Sequence, residues 1–364
     1  MVELTAAAAM ARLDSIVARF DAWFHAEVAD RPPVTFLYVW KGGGQTSPVK
    51  THASRRALML DAEYHCDCFE TEMDDWAYLG DTVPCFKHEL GADQTAALFG
   101  GRLEFNESSS WAVHCLSDSR DILARQPDME CEEWQTLRRS IEYSVARSRG
   151  RWLTGLNLCD GSADVLVALR GPEALCYDLC DDLEGVRLAC DHVGSFFPRL
   201  YDDLRARSVL SGLPTSFEGE VSYGRVFRPG CDFLCMVSRE MAEAAILPAL
   251  WQQLDWLEHS YFHVDSPGWL KHLDILLAHP KLGGVQWVYG VNNGPASRWI
   301  EVYQRIQAAG KAMEILPYDV ADAREVMRHL RPEGVWFKFF GGVTIEDAEY
   351  LTHEVAQREN WGRG

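Results

Sequence analysis

The sequence lacks both the hydrophobic runs and the positive charge that are typical of membrane and nucleic-acid proteins. No apolar run approaches the ~20 residues that a membrane-spanning helix requires. The 364 residues include 35 Lys and Arg against 54 Asp and Glu, which gives a formal net charge of −19. An acidic surplus of this size opposes binding to nucleic acid and to anionic membrane surfaces. We therefore expect neither as a partner.

Signals for secretion and for nucleotide binding are also missing. The Ala-rich segment 6–11 has no basic stretch before it and continues into Arg12-Leu-Asp-Ser, which predicts a helix rather than a signal peptide. Without such a signal, the eleven cysteines are expected to be reduced thiols of a cytoplasmic protein. No GxGxxG or Walker loop occurs, so the sequence gives no support for nucleotide binding.

The close cysteine pairs do not have the CxxC spacing of structural zinc sites. One pair is CxC and two are CxxxC, and a free cysteine usually packs as a small hydrophobic residue. Cys231 differs because it adjoins Asp232 at a predicted strand end, so we keep it as a candidate metal ligand. The close pairs are Cys66 and Cys68, Cys176 and Cys180, and Cys231 and Cys235.

Strands and helices alternate regularly in the second half of the chain, which predicts a parallel sheet. Without a dinucleotide fingerprint, this alternation favours a (β/α)8 TIM barrel over a Rossmann sheet. We predict a helical extension over residues 1–33, irregular in part, and the barrel over residues 34–364. Strands are predicted at 34–40, 152–159, 261–265, 285–289, 312–316 and 335–340, and one long helix at 185–207. Segment 231–237 is predicted to be a strand or the exit of one.

The segment Tyr261-Phe-His-Val-Asp265 is the most informative part of the sequence. His263 and Asp265 are two residues apart on a predicted strand, so their side chains share one face. The carboxyl ends of barrel strands face the active site. We therefore expect the pair to act as acid/base and anchoring groups, or as ligands of a divalent metal such as zinc. The alternative is that His263 only hydrogen-bonds Asp265 in the barrel floor.

Three other charged residues are candidates because of their positions in predicted strands. Asp232 is a candidate catalytic residue, and the alternative is that it caps the helix predicted from Ser238. Lys338 lies inside an apolar strand. It contributes to the site if it points into the barrel, and it snorkels between helices if it points outward. Asp160 ends another predicted strand and is a candidate substrate-binding residue.

Aromatic and amide side chains near predicted strand ends are further candidates for substrate binding. The aromatic residues could line a pocket for a flat macrocycle, an aryl ether or a quaternary ammonium, or they could simply pack in the core. The two asparagines could bind substrate or hold a turn. These candidates are Trp40, Tyr261, Trp287, Tyr289, Asn292 and Asn293.

Several motifs resemble those of the uroporphyrinogen decarboxylase superfamily. The resemblance extends from about residue 70 onward, with the best motifs between 230 and 311. It implies a TIM barrel that either decarboxylates porphyrinogens or moves methyl groups between a corrinoid and thiols, amines or phenyl ethers. The motifs are Asp232-Phe, Ser238-Arg-Glu-Met241, Leu247-Pro248, Tyr261-Phe-His-Val-Asp265 and Val285-Gln-Trp287.

Departures from the superfamily patterns indicate which branch the chain resembles. The decarboxylases have an Arg-rich segment that holds propionates, whereas segment 39–45 has one Lys and no Arg. The zinc-dependent methyltransferases have His-x-Cys on the strand of His263, whereas this chain has Asp265. No cysteine follows Cys235 to supply a late ligand. The zinc site is therefore not carried over intact, and His263, Asp265 and Cys231 are candidates for an altered metal site.

The function implied by the resemblance is methyl transfer between a small methylated substrate and a corrinoid or other acceptor at the barrel mouth. A partner protein would supply the corrinoid, because the chain has no DxHxxG cobalamin-binding motif. Two alternatives stay open. One is a decarboxylase or lyase that acts on a small carboxylic acid with the same His and Asp, and the other is a non-catalytic binder of a tetrapyrrole or small molecule. The sequence does not decide the oligomeric state.

Overall fold

The computed structural model describes residues 4–44, 47–107, 109–158 and 162–363. Its centre is a curled sheet of six parallel strands. Sequence neighbours among the last four strands lie side by side in the sheet, and the last strand pairs with the first. In pairing order the strands are β1 (Val34–Leu37), β10 (Val335–Phe340), β9 (Ala312–Ile315), β8 (Gly284–Val288), β7 (His259–Asp265) and β6 (Val226–Phe227).

Two further strand pairs lie outside this sheet. β2 (Cys85–Phe86) and β5 (Leu153–Thr154) pair in parallel, and β3 (Arg102–Phe105) and β4 (Ser110–Val113) form an antiparallel hairpin. Single hydrogen bonds link the β2–β5 pair to neighbouring segments. In one of them, the Leu156 amide donates to the Ser216 carbonyl at 3.0 Å. The described residues thus form a curled half-barrel sheet and a short parallel pair. A complete (β/α)8 barrel is not confirmed.

Helices surround the sheet, and none among the described residues is long and apolar enough to cross a membrane. They are α1 (Ala6–Ala11), α2 (Leu13–Phe24), α3 (Arg55–Met59), α4 (Ala62–Glu72), α5 (Gln94–Leu98), α6 (Glu132–Ser148), α7 (Ala163–Arg170), α8 (Pro172–Asp181), α9 (Leu183–Gly194), α10 (Phe197–Ser208), α11 (Arg239–Met241), α12 (Leu247–Trp256), α13 (Leu273–Leu277), α14 (Ile300–Ala308), α15 (Val320–His329) and α16 (Ile345–Glu354). In the last third of the chain a helix follows each strand, with α13 after β7, α14 after β8, α15 after β9 and α16 after β10, as the alternating pattern predicts.

One predicted helix is wrong. The predicted helix over 185–207 is two helices, α9 and α10, because Pro198 has no amide hydrogen and favours a new first turn. Segment 231–237 is not a strand but lies after one, since a short 3-10 helix, Asp232–Met236, follows β6. The Asp164 carboxylate causes the turn there by accepting the amides of Asp232 and Phe233, at 2.9 and 3.2 Å.

The N-terminal helix α2 closes the amino end of the sheet. Its Trp23 is fully buried and donates its indole N–H to the carbonyl of Met313 at the start of β9, at 3.2 Å. The same ring packs edge-on against Tyr261 and Trp336, with centroids 5.3 and 5.2 Å away. Because aromatic side chains fill this end, the carboxyl ends of the strands are left for a functional site.

A buried carboxylate attaches the N-terminal helices to the first strand. Asp81 is fully buried and accepts from Arg19 at 2.8 Å, from Arg31 at 2.6 Å and from the Val34 amide at 2.9 Å. Arg19 also binds Asp30, whose side chain is 62% exposed. The two aspartates therefore share one arginine but differ in burial.

We expect Asp81→Asn to lower the free energy of unfolding by about 3–5 kcal/mol, because it removes the buried charge that pairs with two largely buried guanidinium groups. Asp30→Asn is the matched control and should cost less than about 1 kcal/mol, since exposed ion pairs contribute little. Urea denaturation followed by circular dichroism measures both changes. Equal losses in the two variants would contradict the assigned role of Asp81.

Candidate active site at the carboxyl ends of the strands

Three neighbouring strands bring polar side chains to the same side of the sheet. His263 on β7 is paired in register with Gln286 on β8, and Gln286 is paired with Glu314 on β9. Residues paired across parallel strands point to the same face, so these side chains form a row. Gln286 and Glu314 are buried, and the His263 side chain is partly exposed.

The amide of Gln286 fixes the orientation of His263. Its Oε1 accepts from the Nη1 of Arg228 and from the Nδ1 of His263, while its Nε2 donates to the Glu314 carboxylate at 2.7 Å. Arg228 can only donate, so the amide oxygen must face it. His263 therefore carries its hydrogen on Nδ1, and its Nε2 keeps a free lone pair.

Lys338 points into the interior of the sheet, which is one of the two directions that the sequence left open. Its ammonium is fully buried and lies 2.9 Å from Glu218 and 3.2 Å from Glu314. Arg228 binds the same oxygen of Glu218 at 2.5 Å. Burial opposes ionisation of Glu218, but the charges of Lys338, Arg228 and Lys87 outweigh it and hold its pKa well below the usual value. Burial raises the pKa of Glu314.

Asp232, His263 and Asp265 form a group of three side chains at the mouth. One donor atom from each lies within 4.8 Å of the other two, and the Nε2 of His263 lies 3.9 Å from Asp232. Burial, and then the charge of Arg228, lower the pKa of His263 to about 4. The imidazole is therefore neutral near neutral pH.

The two carboxylates of the group repel each other. Burial, and then the charges of Asp164 and Asp265, raise the pKa of Asp232 to about 6. The side chain of Asp232 is 67% exposed, so we give more weight to the repulsion than to the burial. Burial also raises the pKa of Asp265. A divalent cation would offset this repulsion, and one imidazole nitrogen with two carboxylates is a ligand set that suits Mn²⁺, Fe²⁺ or Zn²⁺.

Cys231 is not brought into this group. It is buried, and its Sγ lies 3.5 Å from the carboxylate of Asp164. The 3-10 helix that begins at Asp232 places the Asp232 side chain at the mouth while the preceding thiol lies against α7. The structure thus supports Asp232, rather than Cys231, as the third partner of His263 and Asp265.

Three aromatic candidates lie in the core rather than at the mouth. Tyr261 is fully buried and donates its hydroxyl to Glu220 at 2.7 Å. Trp287 is fully buried and packs against Trp299, with ring centroids 5.1 Å apart. Tyr289 donates its hydroxyl to the Leu316 carbonyl at 2.6 Å. Their described contacts are those of packing and of hydrogen bonding within the protein.

The remaining candidates are spread over loops. Asn292 has a left-handed backbone at φ +67°, and the Asn293 amide donates to the Gly290 carbonyl at 3.3 Å, so both asparagines form the turn after β8. Trp40 is 53% exposed and packs edge-on against Trp76, with centroids 5.3 Å apart. Asp160 lies outside the described residues.

Four residues of the network were missed in the sequence. Gln286 and Glu314 are polar residues within apolar strands, the same signal that identified Lys338, so they could have been found. Arg228 and Glu218 come from irregular segments between short strands, where neither periodicity nor a motif indicates their direction.

An aromatic cavity of about 570 Å³ lies beside this polar group. Glu218 belongs to both, because its carboxylate binds Lys338 and Arg228 while the residue also lines the cavity. The cavity is formed near the carboxyl ends of β1 and β10, with helix α4 and the segment around β2 as its walls. Aromatic residues in its lining include Tyr38, Phe69, Trp76, Tyr78, Phe86 and Phe217.

A solved structure has the same overall fold. A methyltransferase from Methanosarcina mazei matches with a TM-score of 0.60 over 94% of this chain and 98% of that chain, at 11% sequence identity. At this identity the match establishes a shared fold and no more. No protein-family model matches the sequence, and no curated protein matches it.

We expect nitrogen NMR of the histidine-labelled protein to show His263 as the Nδ1–H tautomer at neutral pH, with a pKa of about 4. The imidazole stays neutral as the pH falls until that value, because burial and Arg228 disfavour the charged ring. His263→Gln assigns the signal, and Gln286→Leu should abolish the preference for this tautomer. An Nε2–H tautomer, or titration near 6.5, would contradict the assigned hydrogen-bond network.

Proposed function

We propose that the protein transfers a methyl group between a small methylated substrate and an acceptor, in a barrel of the uroporphyrinogen decarboxylase type. The observation that carries this proposal is the group of Asp232, His263 and Asp265 at the carboxyl ends of parallel strands. The fold shared with the M. mazei methyltransferase supports it. The sequence resemblance points to the same chemistry.

Methyl transfer from oxygen, nitrogen or sulfur requires that the leaving heteroatom be stabilised. The proposed ligands of a divalent metal are the Nε2 of His263 and the carboxylates of Asp232 and Asp265. When bound, the metal would supply Lewis acidity to that heteroatom. In a metal-free route, Asp232 would donate a proton to it, since its raised pKa keeps part of its population protonated near neutral pH. His263, with its pKa of about 4, is almost entirely unprotonated near neutral pH and therefore has little proton to donate.

We propose a reduced corrinoid, carried by a separate protein, as the methyl acceptor. Apolar side chains exposed beyond the strand ends support a docked partner at the mouth, because exposed apolar surface often marks an interaction site. A partner seated there would reach the Asp232 group from the open end of the sheet. The exposed residues include Tyr38 at 68%, Met236 at 59%, Val291 at 88%, Tyr318 at 56% and Phe340 at 53%.

A lyase or decarboxylase of a small acid has less support. Such a substrate needs a cation to hold its carboxylate. Arg228 and Lys338 are the cations of the buried network, and Glu218 already binds both. Because both cations are already paired with Glu218, the network does not favour binding of a substrate carboxylate at this position.

We expect the purified protein to bind Mn²⁺ or Zn²⁺ in a saturable manner. Asp232→Asn and Asp265→Asn should each weaken binding by at least about tenfold, because metal sites lose that much even when only a supporting residue is changed. Protons compete for Asp232, so affinity should be constant above its pKa of about 6 and fall as the pH drops below it.

Isothermal titration calorimetry and metal analysis by mass spectrometry measure this binding. Asp274→Asn is the control, since that side chain is 72% exposed and binds Arg305 on α14. Unchanged affinity in both site variants would contradict the proposed metal ligands.

The pH dependence of methyl transfer distinguishes the metal-dependent route from the metal-free route. We expect transfer to a Co(I) corrinoid to increase as the pH rises through about 6, because the metal site needs ionised Asp232. Activity that decreases through the same range would favour Asp232 as the proton donor. Absorbance of the methylated corrinoid reports turnover with methoxyarene, methylamine and thioether donors. No turnover with any donor, in the presence or absence of metal, would contradict methyl transfer.

A further inference from the structure

The aromatic cavity has walls that meet at steep angles. The rings of Tyr38 and Trp76 are 6.0 Å apart at 77°, and those of Phe69 and Phe86 are 5.6 Å apart at 57°. The first pair makes the edge-to-face contact that aromatic rings prefer with each other. Because the rings are inclined, a compact group in the cavity can touch more than one of them at once.

The charged groups of the described lining are mostly carboxylates. Glu72, Glu89 and Glu218 line the cavity, and Lys87 is the one Lys or Arg among its lining residues. Lys87 is already occupied, because its ammonium lies 2.5 Å from Glu89 and 4.7 Å from the centre of the Phe217 ring. Glu218 is bound by buried cations on its inner side. Within the described chain, Glu72 accepts the hydroxyl of Ser47 and forms no ion pair.

Two histidines in the lining add no positive charge. His65 and His88 lie with their ring centroids 4.5 Å apart, and their Nε2 atoms bind the carbonyls of Leu58 and Met59 at 3.0 and 2.9 Å. Burial lowers the pKa of both, that of His88 to about 3. They are neutral near neutral pH and would not repel a cation.

We propose that this cavity binds a small organic cation, a methylated ammonium group, with Trp76 and Tyr38 against its methyl groups and Glu72 as its counter-charge. Ring faces attract cations, and carboxylates next to such faces add to that attraction. The protein uses the same contact itself, since the ammonium of Lys338 lies 4.9 Å from the centre of the Phe340 ring. Binding of the cation does not depend on the proposed function. Only the further step, that the bound cation is the methyl donor, rests on it.

Choline and its neutral tert-butyl analogue, in which carbon replaces the ammonium nitrogen, are probes of one shape that differ in charge. We expect calorimetry of the intact protein to show saturable choline binding, with the neutral analogue weaker by about tenfold, the size expected of a desolvated cation–π contact. Anisole, a flat neutral methyl ether, should bind more weakly than choline. Equal binding of choline and its analogue, or tighter binding of anisole, would overturn the inference.

The variants Trp76→Leu and Glu72→Gln should each weaken choline binding by about fivefold to tenfold. The controls are Trp111→Leu on β4, whose ring is 44% exposed, and the exposed Glu349→Gln on α16. Circular dichroism checks that each variant folds. Glu72→Gln keeps the side-chain shape, so it tests the cavity even if Trp76→Leu proves unstable. Unchanged choline affinity in Glu72→Gln would contradict the assigned counter-charge.

The same measurements separate this inference from the proposed function. Choline binding without methyl transfer from any donor would support the cation site and contradict the methyltransferase. Methyl transfer from neutral methoxy donors, in a protein that does not bind choline, would overturn the cation site and leave the methyltransferase in place.

Discussion

The side-chain amide of Gln286 is the constraint on which the candidate site depends. It is 1% exposed, with donors on its oxygen side and a carboxylate on its nitrogen side. A reversed amide would place its NH2 group against Arg228 and its oxygen against Glu314. Each buried group left unpaired in this way costs about 1–3 kcal/mol. One orientation is therefore strongly favoured. It places the hydrogen of His263 on Nδ1, so that Nε2, the nitrogen near Asp232, keeps its lone pair.

The amide in turn depends on how Glu218 is held. Glu220 accepts the backbone amides of Phe217 and Glu218 at 2.6 and 3.0 Å, and it receives the hydroxyl of Tyr261. Tyr261 thus lies away from the mouth but supports the loop that places Glu218 next to Arg228. Because Glu218 also lines the aromatic cavity, the cavity and the network that orients His263 have this residue in common.

The parts of this arrangement that follow a strand's period of two could be predicted from the sequence. The common face of His263 and Asp265 is of this kind, whereas the direction of Lys338 stayed open between two alternatives. The parallel order of β7 to β10 follows from the alternation of strands and helices. Whether the sheet closes into a barrel could not be predicted in this way. Strands β2, β5 and β6 are two residues long, which is too short to show an alternating pattern in the sequence.

Contacts that are distant in sequence could not be read from local patterns. Asp232 joins the group because Asp164, on a different helix, binds its backbone amide and turns the chain. The same turn places the thiol of Cys231 against Asp164. Arg228 and Glu218 are ten residues apart, but their other partners, Gln286 and Lys338, lie on strands distant in sequence. The residues of these contacts lie in irregular segments or on separate elements, where tertiary structure decides which way a side chain points.

The proposed set of metal ligands, in which Asp265 supplies a carboxylate and no cysteine takes part, has a consequence for redox chemistry. A cysteine ligand can be oxidised to a sulfenic acid and then irreversibly to higher acids, with loss of the metal. The proposed ligands, one imidazole and two carboxylates, have no sulfur to oxidise. The nearby Cys235 thiol lies 3.3 Å from the carbonyl of Asp265, and burial raises its pKa, so it has little reactive thiolate. Such a centre keeps its ligands under oxidising conditions that would destroy one based on cysteine.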